Sequence, residues 1–364
     1  MEHQDGTFKS MLTEQPGIEQ PSHVRSDAVQ RLKTARKPRL SVEQYIEGIK
    51  EGNRIILSQA ITLIESSLPE NQELSQKIIE GCLPFSGKSI RLGITGVPGA
   101  GKSSFIETFG TYITGLGHKI AVLTIDPSSE KTHGSILGDK TRMDLLGVNK
   151  NAYIRPSPSA GTLGGVARKT RETIKLCEAA GFNIIIIETV GVGQSEIAVH
   201  SMVDFFLLLM LAGAGDELQG IKRGIMEMAD CIAITKADGT NKEKADIARI
   251  NYGSALHLFP KNESTWAPVV HTCSARDNVG IKEIWQTITD YMGTVTKNDY
   301  FEAKRHYQSK YWMHESIVER LKTNFYENAK IKETIDEFEG KVLRGETSSF
   351  IAANKLLELY FSNL

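Results

Sequence analysis

Residues 96–103 read Gly-Val-Pro-Gly-Ala-Gly-Lys-Ser and match G-x-x-x-x-G-K-[ST], a pattern typical of loops that bind nucleotide phosphates. An apolar run at 90–95 precedes them and predicts a buried strand, and a helical pattern at 104–113 follows. In such a strand–loop–helix unit, glycines let successive backbone N–H groups point at phosphate oxygens, and the helix N-terminus adds positive potential. The segment therefore predicts an α/β fold with a nucleotide at the end of its first strand.

Two side chains of this loop are suited to the chemistry of a phosphate site. Lys102 has the reach to contact the β- and γ-phosphates, and the hydroxyl of Ser103 is a candidate ligand of Mg²⁺. The other residues that we expect to line the phosphates are Gly96, Pro98, Gly99, Ala100, Gly101 and Ser104.

The composition of the chain narrows the class of partner. With 364 residues and a net charge of −1, it gives no indication of nucleic acid or an anionic membrane as a partner. The polar N-terminus lacks the apolar core of a secretory signal, and the longest apolar run, 205–215, is too short to span a bilayer. The four cysteines are widely spaced without a C-x-x-C pair, which favours buried free thiols in a reducing compartment. We therefore expect a cytoplasmic protein.

Changes in pattern along the chain predict four regions. Residues 1–39 are polar and lack periodicity, which is typical of a flexible arm. Residues 40–87 show the apolar spacing of a helical extension, and residues 88–297 alternate strands with helices. Residues 298–364 are again helical and form a C-terminal arm in this division.

The alternation in the third region predicts a mostly parallel sheet between helices, with ligands at the carboxyl ends of its strands. The predicted strands are 90–95, 119–125, 152–155, 183–188, 204–211, 230–235 and 268–273. The predicted helices include 165–180, 242–257 and 281–291 and, in the N-terminal extension, 41–65 and 71–82.

An acid ends the predicted strand at 183–188. Residues 184–187 are four isoleucines, and Glu188 comes directly after them, where a Walker-B carboxylate holds Mg²⁺ directly or through water. Gly191 has no side chain and can approach the γ-phosphate closely. Gln194 is our candidate for orienting the attacking water, with Glu196 as the alternative, although polar residues that open a helix also serve as caps.

Two further acids are candidates for the metal site. Asp126 ends the second predicted strand, and Asp139 lies in the segment Gly-Asp-Lys-Thr-Arg at 138–142. A second carboxylate near Mg²⁺ helps to offset crowded charge in a metal–phosphate site.

The residues after the sixth predicted strand resemble the Asn-Lys-x-Asp motif of GTPases, with Thr235 in place of asparagine, followed by Lys236 and Asp238. An aspartate at this position accepts hydrogen bonds from guanine N1 and N2, which adenine does not offer. Ser274 and Ala275, one strand later, match the loop whose backbone N–H contacts guanine O6. The pattern therefore predicts selectivity for guanine.

The C-terminal region carries apolar and aromatic residues at helical spacing. Two interpretations stay open, a packed core and a dimer or partner surface. The residues concerned are Tyr307, Tyr311, Trp312, Ile317 and Leu321 in one segment and Phe350, Ile351, Leu356, Leu357 and Tyr360 in the last.

Taken together, these motifs resemble those of the MeaB/ArgK-type G-protein chaperones of cobalamin-dependent acyl-CoA mutases, over about residues 40 to 330. The segments that carry the resemblance are 96–104, 126–129, 134–143, 188–196 and 213–222.

The resemblance implies a P-loop G-domain of the signal-recognition and MinD-like (SIMIBI) branch, Mg²⁺-dependent GTP hydrolysis that is slow without a partner, and a homodimer formed through the C-terminal arm. It implies methylmalonyl-CoA mutase or a close relative as the partner, with GTP hydrolysis gating cofactor loading and protecting the mutase. It also implies a coupling switch that contains Asp216, Glu217, Gln219 and Lys222. The chain lacks the Asp-x-His-x-x-Gly pattern of cobalamin-binding domains, so we do not expect it to bind cobalamin itself.

Three other functions remain as alternatives. A nickel-delivery GTPase calls for a His-rich tract or a paired Cys/His site, and the nine histidines are scattered. A kinase needs an acceptor pocket and a base, which no motif nominates. A MinD-like ATPase carries a second lysine where this chain has Val97.

Overall fold

Seven parallel strands form one sheet in the computed structural model, which describes residues 39–126, 143–158, 163–189, 195–212, 223–260 and 263–362. The strands are β1 Ile90–Gly96, β2 Ile120–Asp126, β3 Ala152–Pro158, β4 Ile184–Thr189, β5 Phe205–Leu211, β6 Cys231–Thr235 and β7 Val269–Thr272. Their spatial order is β3-β2-β4-β1-β5-β6-β7, and every neighbouring pair is parallel. The predicted α/β class and mostly parallel sheet are confirmed.

The central strands are buried on both faces. Every residue of β4 is buried, and in β5 only the last residue is partly exposed. Parallel sheets are covered by helices on both sides, so their strands are continuous apolar runs without alternation. This is why the four isoleucines at 184–187 and the run that begins at Phe205 predict strands correctly.

The α-helices of the described residues lie before, between and after these strands. They are α1 Val42–Lys50, α2 Arg54–Glu65, α3 Pro69–Cys82, α4 Lys102–Gly115, α5 Asp144–Gly147, α6 Leu163–Ala179, α7 Ser195–His200, α8 Arg223–Glu227, α9 Lys242–Leu256, α10 Ile281–Lys297, α11 Tyr300–Glu327, α12 Ala329–Leu343 and α13 Ser349–Phe361.

Helices α4 and α10 pack on one face of the sheet. Phe105 and Phe109 of α4 share a core with Ile186 and Leu207, and the ring of Trp285 from α10 meets Phe109 edge-on at 6.2 Å. On the other face, α9 contributes a buried cluster with β5 and β6. The strands that lead to the phosphate loop are therefore packed between helices on both faces of the sheet.

The N-terminal extension differs from the prediction of one long helix at 41–65. It forms two helices, α1 and α2, because the chain turns between them at Gly52, whose φ is +74°. Asn53 then caps α2, its side chain accepting from the backbone N–H groups of Ile55 and Ile56. The next predicted helix is confirmed as α3, which begins two residues earlier, at Pro69.

The apolar residues of the C-terminal region divide between the two open interpretations. Trp312, Leu356 and Tyr360 are buried, so part of the pattern is core. Tyr307 is 71% exposed and Phe350 is 83% exposed, so another part faces solvent.

A buried ionic network holds α11 to the sheet. Arg305 donates to both carboxylate oxygens of Asp204, at 3.0 and 2.8 Å, and also to the carbonyl oxygens of Gly87 and Ser89. Asp204 in turn accepts from the backbone N–H of Arg91 in β1, at 2.8 Å. The first turns of α11 are thus fixed to the amino ends of the strands, away from the phosphate loop.

The described residues from Val42 onward belong to one compact unit. The four cysteines are buried free thiols, as predicted. No helix in the described part of the chain is long and apolar enough to cross a membrane.

Candidate functional site

The loop between β1 and α4 has a backbone that requires glycine. Gly99 and Gly101 have φ values of +78° and +80°, which side-chain-bearing residues rarely adopt. Gly96 approaches β5 so closely that a Cβ there would lie 2.3 Å from the carbonyl oxygen of Leu209. The loop therefore leads directly from the sheet into the N-terminus of a 14-residue helix, where an anion is favoured.

Lys102 lies folded over this loop. Its Nζ donates to the carbonyl oxygens of Gly96 at 2.9 Å and Val97 at 3.4 Å. Burial lowers the pKa of Lys102, and the nearby carboxylates of Glu188 and Glu196 oppose that shift. The ammonium group is thus held within the loop in a setting where a phosphate would be a strong additional partner.

Ser103 and Glu188 meet at the end of the neighbouring strand. The Ser103 hydroxyl donates to Glu188 Oε1 at 3.3 Å, and Glu188 is only 6% exposed. Strand register places Glu188 between Ile94 of β1 and Thr124 of β2. A hydroxyl and a carboxylate are hard oxygen donors, so this pair fits the ligand preference of Mg²⁺.

The other predicted metal and hydrolysis residues are less completely described. The backbone of Asp126 ends β2, paired with Pro158 of β3. Glu196 is buried in the first turn of α7. Asp139, Gly191, Gln194, Asp216, Glu217, Gln219 and Lys222 lie outside the described residues.

Thr235 joins the predicted base-recognition segment to the phosphate loop. Its buried hydroxyl lies 2.7 Å from the carbonyl oxygen of Ala100 and 3.0 Å from that of Met210 in β5. Lys236 follows with a φ of 55°, and its stem passes close to Gly101, 3.8 Å from where a Cβ would stand. Thr235 therefore contacts the phosphate loop, and the stem of Lys236 lies beside it.

Asp238 and Ser274 form a second contact in this region. The Ser274 hydroxyl donates to Asp238 Oδ2 at 2.7 Å and accepts from the backbone N–H of Asp277 at 3.1 Å. The two loops are also joined through their backbones, because Ala237 N–H donates to Cys273 O at 3.0 Å.

Sequence reasoning missed one link in this site. Thr108, in the second turn of α4, donates its hydroxyl to the carbonyl oxygen of Ala275 at 3.1 Å. The bond ties the helix after the phosphate loop to the predicted base-contact loop. Because 167 residues separate the two partners, no local pattern could have indicated it.

Within the described ranges, no group of three or more His, Cys, Asp or Glu side chains is arranged to hold a metal ion. Ser103 and Glu188 are thus the predicted metal ligands whose side chains the structure brings together.

The chain matches a known protein family over most of its length. The family model described as methylmalonyl-CoA mutase-associated GTPase MeaB matches residues 57–330. A protein of Mycobacterium tuberculosis named as a probable GTPase is 46% identical over 319 residues, covering 88% of this chain and 95% of the relative.

Two other relatives show comparable similarity. The GTPase ArgK of Escherichia coli is 46% identical over 288 residues, covering 79% of this chain and 87% of the relative. The methylmalonic aciduria type A homolog of Mus musculus, a mitochondrial protein by name, is 46% identical over 331 residues, covering 88% and 80%.

The fold is also similar to that of a solved structure. A crystal structure of a LAO/AO transport system kinase superposes with a TM-score of 0.70 at 37% identity, covering 88% of this chain and 97% of that one. The phosphate loop and seven-stranded sheet therefore lie in a P-loop fold shared with these proteins.

Proposed function

The chain belongs to the MeaB family of methylmalonyl-CoA mutase-associated GTPases, and on this premise we propose that it is a GTP-binding and GTP-hydrolysing chaperone of a cobalamin-dependent acyl-CoA mutase. The first candidate for the client is methylmalonyl-CoA mutase, because the family description names it and a mouse relative is named for methylmalonic aciduria. In this proposal the GTPase assembles with the mutase, gates loading of the cofactor and protects the enzyme.

The observation that carries the nucleotide part of this proposal is the direct contact between the phosphate loop and the base-recognition segment. Thr235 lies 2.7 Å from the Ala100 carbonyl oxygen, and Asp238, three residues later, is held by Ser274. A single nucleotide with its phosphates on the loop would thus have its base beside Asp238.

Guanine selectivity follows from the chemistry of Asp238. A carboxylate accepts hydrogen bonds from N1–H and the N2 amino group of guanine, whereas adenine offers no donors there and would leave Asp238 only the hydroxyl of Ser274. An acceptor that the bound base covers and leaves unpaired costs about 1–3 kcal/mol. Ser274 and Ala275 complete this side of the site in the proposal, with a backbone N–H to guanine O6.

Hydrolysis would depend on positioning and charge, without a covalent intermediate. Lys102 and the backbone N–H groups of residues 96–104, other than Pro98, would bind the phosphates, while Ser103 and Glu188 would hold Mg²⁺ with help from Asp126 and Asp139. When bound, Mg²⁺ supplies positive charge that offsets the charge of the phosphates. Gly191 would approach the γ-phosphate, and Gln194 would orient the attacking water.

Coupling to the mutase is assigned to the segment that contains Asp216, Glu217, Gln219 and Lys222. We assign the C-terminal arm, residues 298–364, to a homodimer interface, residues 40–87 to the helical extension and residues 88–297 to the GTPase domain. Residues 1–38 of the predicted N-terminal arm lie outside the described residues. Exposed apolar side chains support the dimer assignment; they include Tyr307, Val318 and Leu321 on α11 and Phe350 and Phe361 on α13.

The test is GTP turnover by the purified protein, alone and with the methylmalonyl-CoA mutase of the same organism, with ATP as the nucleotide control. Lys102→Ala, with its circular-dichroism spectrum checked, controls for contaminating phosphatase and is expected to abolish turnover. We expect slow, GTP-selective hydrolysis that rises when the mutase is added.

Three outcomes would contradict parts of the proposal. Equal turnover of ATP would remove guanine selectivity, and turnover indifferent to the mutase would leave a GTPase with another client. A phosphorylated product formed in step with GDP would instead indicate a kinase.

A further inference from the structure

Thr124 carries a buried hydroxyl that the described part of the fold does not satisfy. The residue lies in β2 and is 2% exposed, and its Oγ1 has no hydrogen-bond partner among the residues that the structure describes. A buried hydroxyl without a partner costs free energy, and most such groups in proteins are paired with protein or water. A ligand that supplies the missing hydrogen bond would account for it.

The position of Thr124 in the sheet shows where that ligand would lie. Strand register aligns Thr124 of β2 with Glu188 of β4 and Glu188 with Ile94 of β1. Aligned residues of neighbouring parallel strands point to the same face, and adjacent strands lie about 4.8 Å apart. Ile94 packs in the core beneath α4, so the row faces the helix that begins with Lys102 and Ser103.

Thr124 is therefore a direct neighbour of the predicted metal pair. Glu188 accepts the hydroxyl of Ser103 at 3.3 Å, and Thr124 stands on the next strand beside it. The residue aligned with Thr124 on its other side is Pro156, which has no polar side-chain atom. Of the two residues aligned with Thr124, only Glu188 has a polar side chain, and Glu188 belongs to the predicted metal site.

We propose that Thr124 is a positioning residue of the Mg²⁺ site, whose hydroxyl accepts a hydrogen bond from a metal-bound water beside Glu188. The inference rests on the proposed function, because it needs a nucleotide-bound Mg²⁺. Mg²⁺ in nucleotide sites usually keeps several of its waters, which need acceptors in the protein. Loss of an outer-sphere partner typically lowers metal affinity by about 10–100-fold.

The test compares Thr124→Val with Thr124→Ser. Valine has nearly the same shape without the hydroxyl, and serine keeps the hydroxyl. Retention of a fluorescent GDP analogue is titrated with Mg²⁺, and the same affinity is measured in EDTA. We expect the valine variant to need roughly 10–100-fold more Mg²⁺ for half-maximal retention, the serine variant to stay near the wild type, and all three to bind alike in EDTA.

The melting temperature without nucleotide or metal provides a second readout. Removal of an unsatisfied buried hydroxyl should leave the valine variant at least as stable as the wild type. A valine variant that melts well below the wild type would overturn the inference, because the hydroxyl would then have a structural partner in the free protein. An unchanged Mg²⁺ midpoint, or a loss of affinity that persists in EDTA, would also overturn it.

Failure of the proposed function has a different signature. If the wild type itself did not bind the GDP analogue, or bound it without any dependence on Mg²⁺, both proposals would fall together. If the wild type responded to Mg²⁺ and the valine variant matched it, only the role of Thr124 would be wrong.

Discussion

Ser274 donates its hydroxyl proton to Asp238 across a 2.7 Å hydrogen bond. The direction is fixed by the environment, because the same oxygen accepts the backbone N–H of Asp277, and an ionised carboxylate can only accept. The carboxylate that we assign to guanine recognition is thereby held at one oxygen by a fully buried side chain.

Asp238→Asn should weaken GTP binding by roughly ten-fold or more, since a lost charged acceptor is worth about 1.5–3 kcal/mol. The asparagine amide would present N–H groups to guanine N–H donors, whereas xanthine offers a carbonyl at C2. Competition of GTP and XTP against a fluorescent GDP analogue measures the change, and we expect preference to move toward XTP. Ser274→Ala is the milder companion, with a loss of about 2–10-fold for guanine nucleotides. Unchanged GTP affinity in the asparagine variant would place base recognition elsewhere.

Thr235→Val should weaken binding of GTP, GDP and XTP to the same extent, by about 2–10-fold, because it removes one hydrogen bond to the phosphate loop. Selectivity among bases should stay constant, since the hydroxyl contacts the Ala100 and Met210 carbonyl oxygens. Thr235→Asn, which restores N–H donors, is the control. A shift in the ratio of GTP to XTP affinity would show instead that Thr235 acts on the base.

The buried carboxyl of Asp230 makes the free energy of unfolding depend on pH in the acid range, and Asp230→Asn should remove that dependence. Burial raises the pKa of this carboxyl from 3.8 to about 6 in the folded protein, while Lys304 opposes the shift. Between these pH values the native state binds more protons than the unfolded chain, so the free energy of unfolding falls as pH rises. The accumulated loss is on the order of 3 kcal/mol by pH 7.

Asparagine keeps an oxygen that can accept the backbone N–H of Phe206, a bond of 2.9 Å in the wild type, without the buried charge. Urea unfolding from pH 4 to 7 should show the variant gaining stability over the wild type as pH rises. The quantity to compare is the difference in free energy of unfolding between the variant and the wild type. Burial lowers the pKa of His200 to about 4, which makes stability rise with pH in both proteins and cancels in that difference. A difference independent of pH would contradict the assignment.

Arg305→Ala should destabilise the protein by about 3–5 kcal/mol, because it leaves the buried Asp204 carboxylate without its charged partner. Lys310→Ala, on the same helix but exposed, is the matched control and should have little effect. Denaturant unfolding of both variants measures the two costs. Equal losses in the two variants would show that charge on α11, and not the buried pair, matters.

The fold was largely predictable because its strands are buried on both faces. The isoleucine run at 184–187 and the apolar run from Phe205 are apolar at successive positions. They therefore predict buried strands without an alternating pattern. The break between α1 and α2 was not predicted, since the apolar spacing continues across it. Its signal is local, a glycine that adopts a positive φ followed by Asn53 as a cap.

Motifs placed the predicted residues at one edge of the sheet, and the structure brings Ser103 to Glu188 and Asp238 to Ser274. What they could not predict are bonds between distant segments. Arg305 reaches Asp204 across 101 residues of chain, and neither residue type is unusual in its local pattern. A lone threonine in an apolar strand, such as Thr124, likewise has no sequence signal of its own.

Helix α11 has the dimensions of a lever. Its 28 residues extend about 42 Å at 1.5 Å per residue, and residues from Lys304 to Trp312 hydrogen-bond to the segment 201–204 beside the sheet. In α11, all of whose residues are described, only Gln308 and Trp312 are buried. The distal end carries a small apolar cluster of its own, formed by Phe325, Ile331, Leu356 and Tyr360.

The lever connects the segment at 201–204 to the distal cluster. Gln308 and Trp312 donate to the carbonyl oxygens of Val203 and Ser201, which follow α7 and therefore the segment that contains Gln194. A tilt of 5° at that attachment would move the distal cluster, roughly 22 Å further along the helix, by about 2 Å. A small shift of the backbone at Ser201 and Val203 would thus be felt at the far end of α11 as a displacement of ångströms.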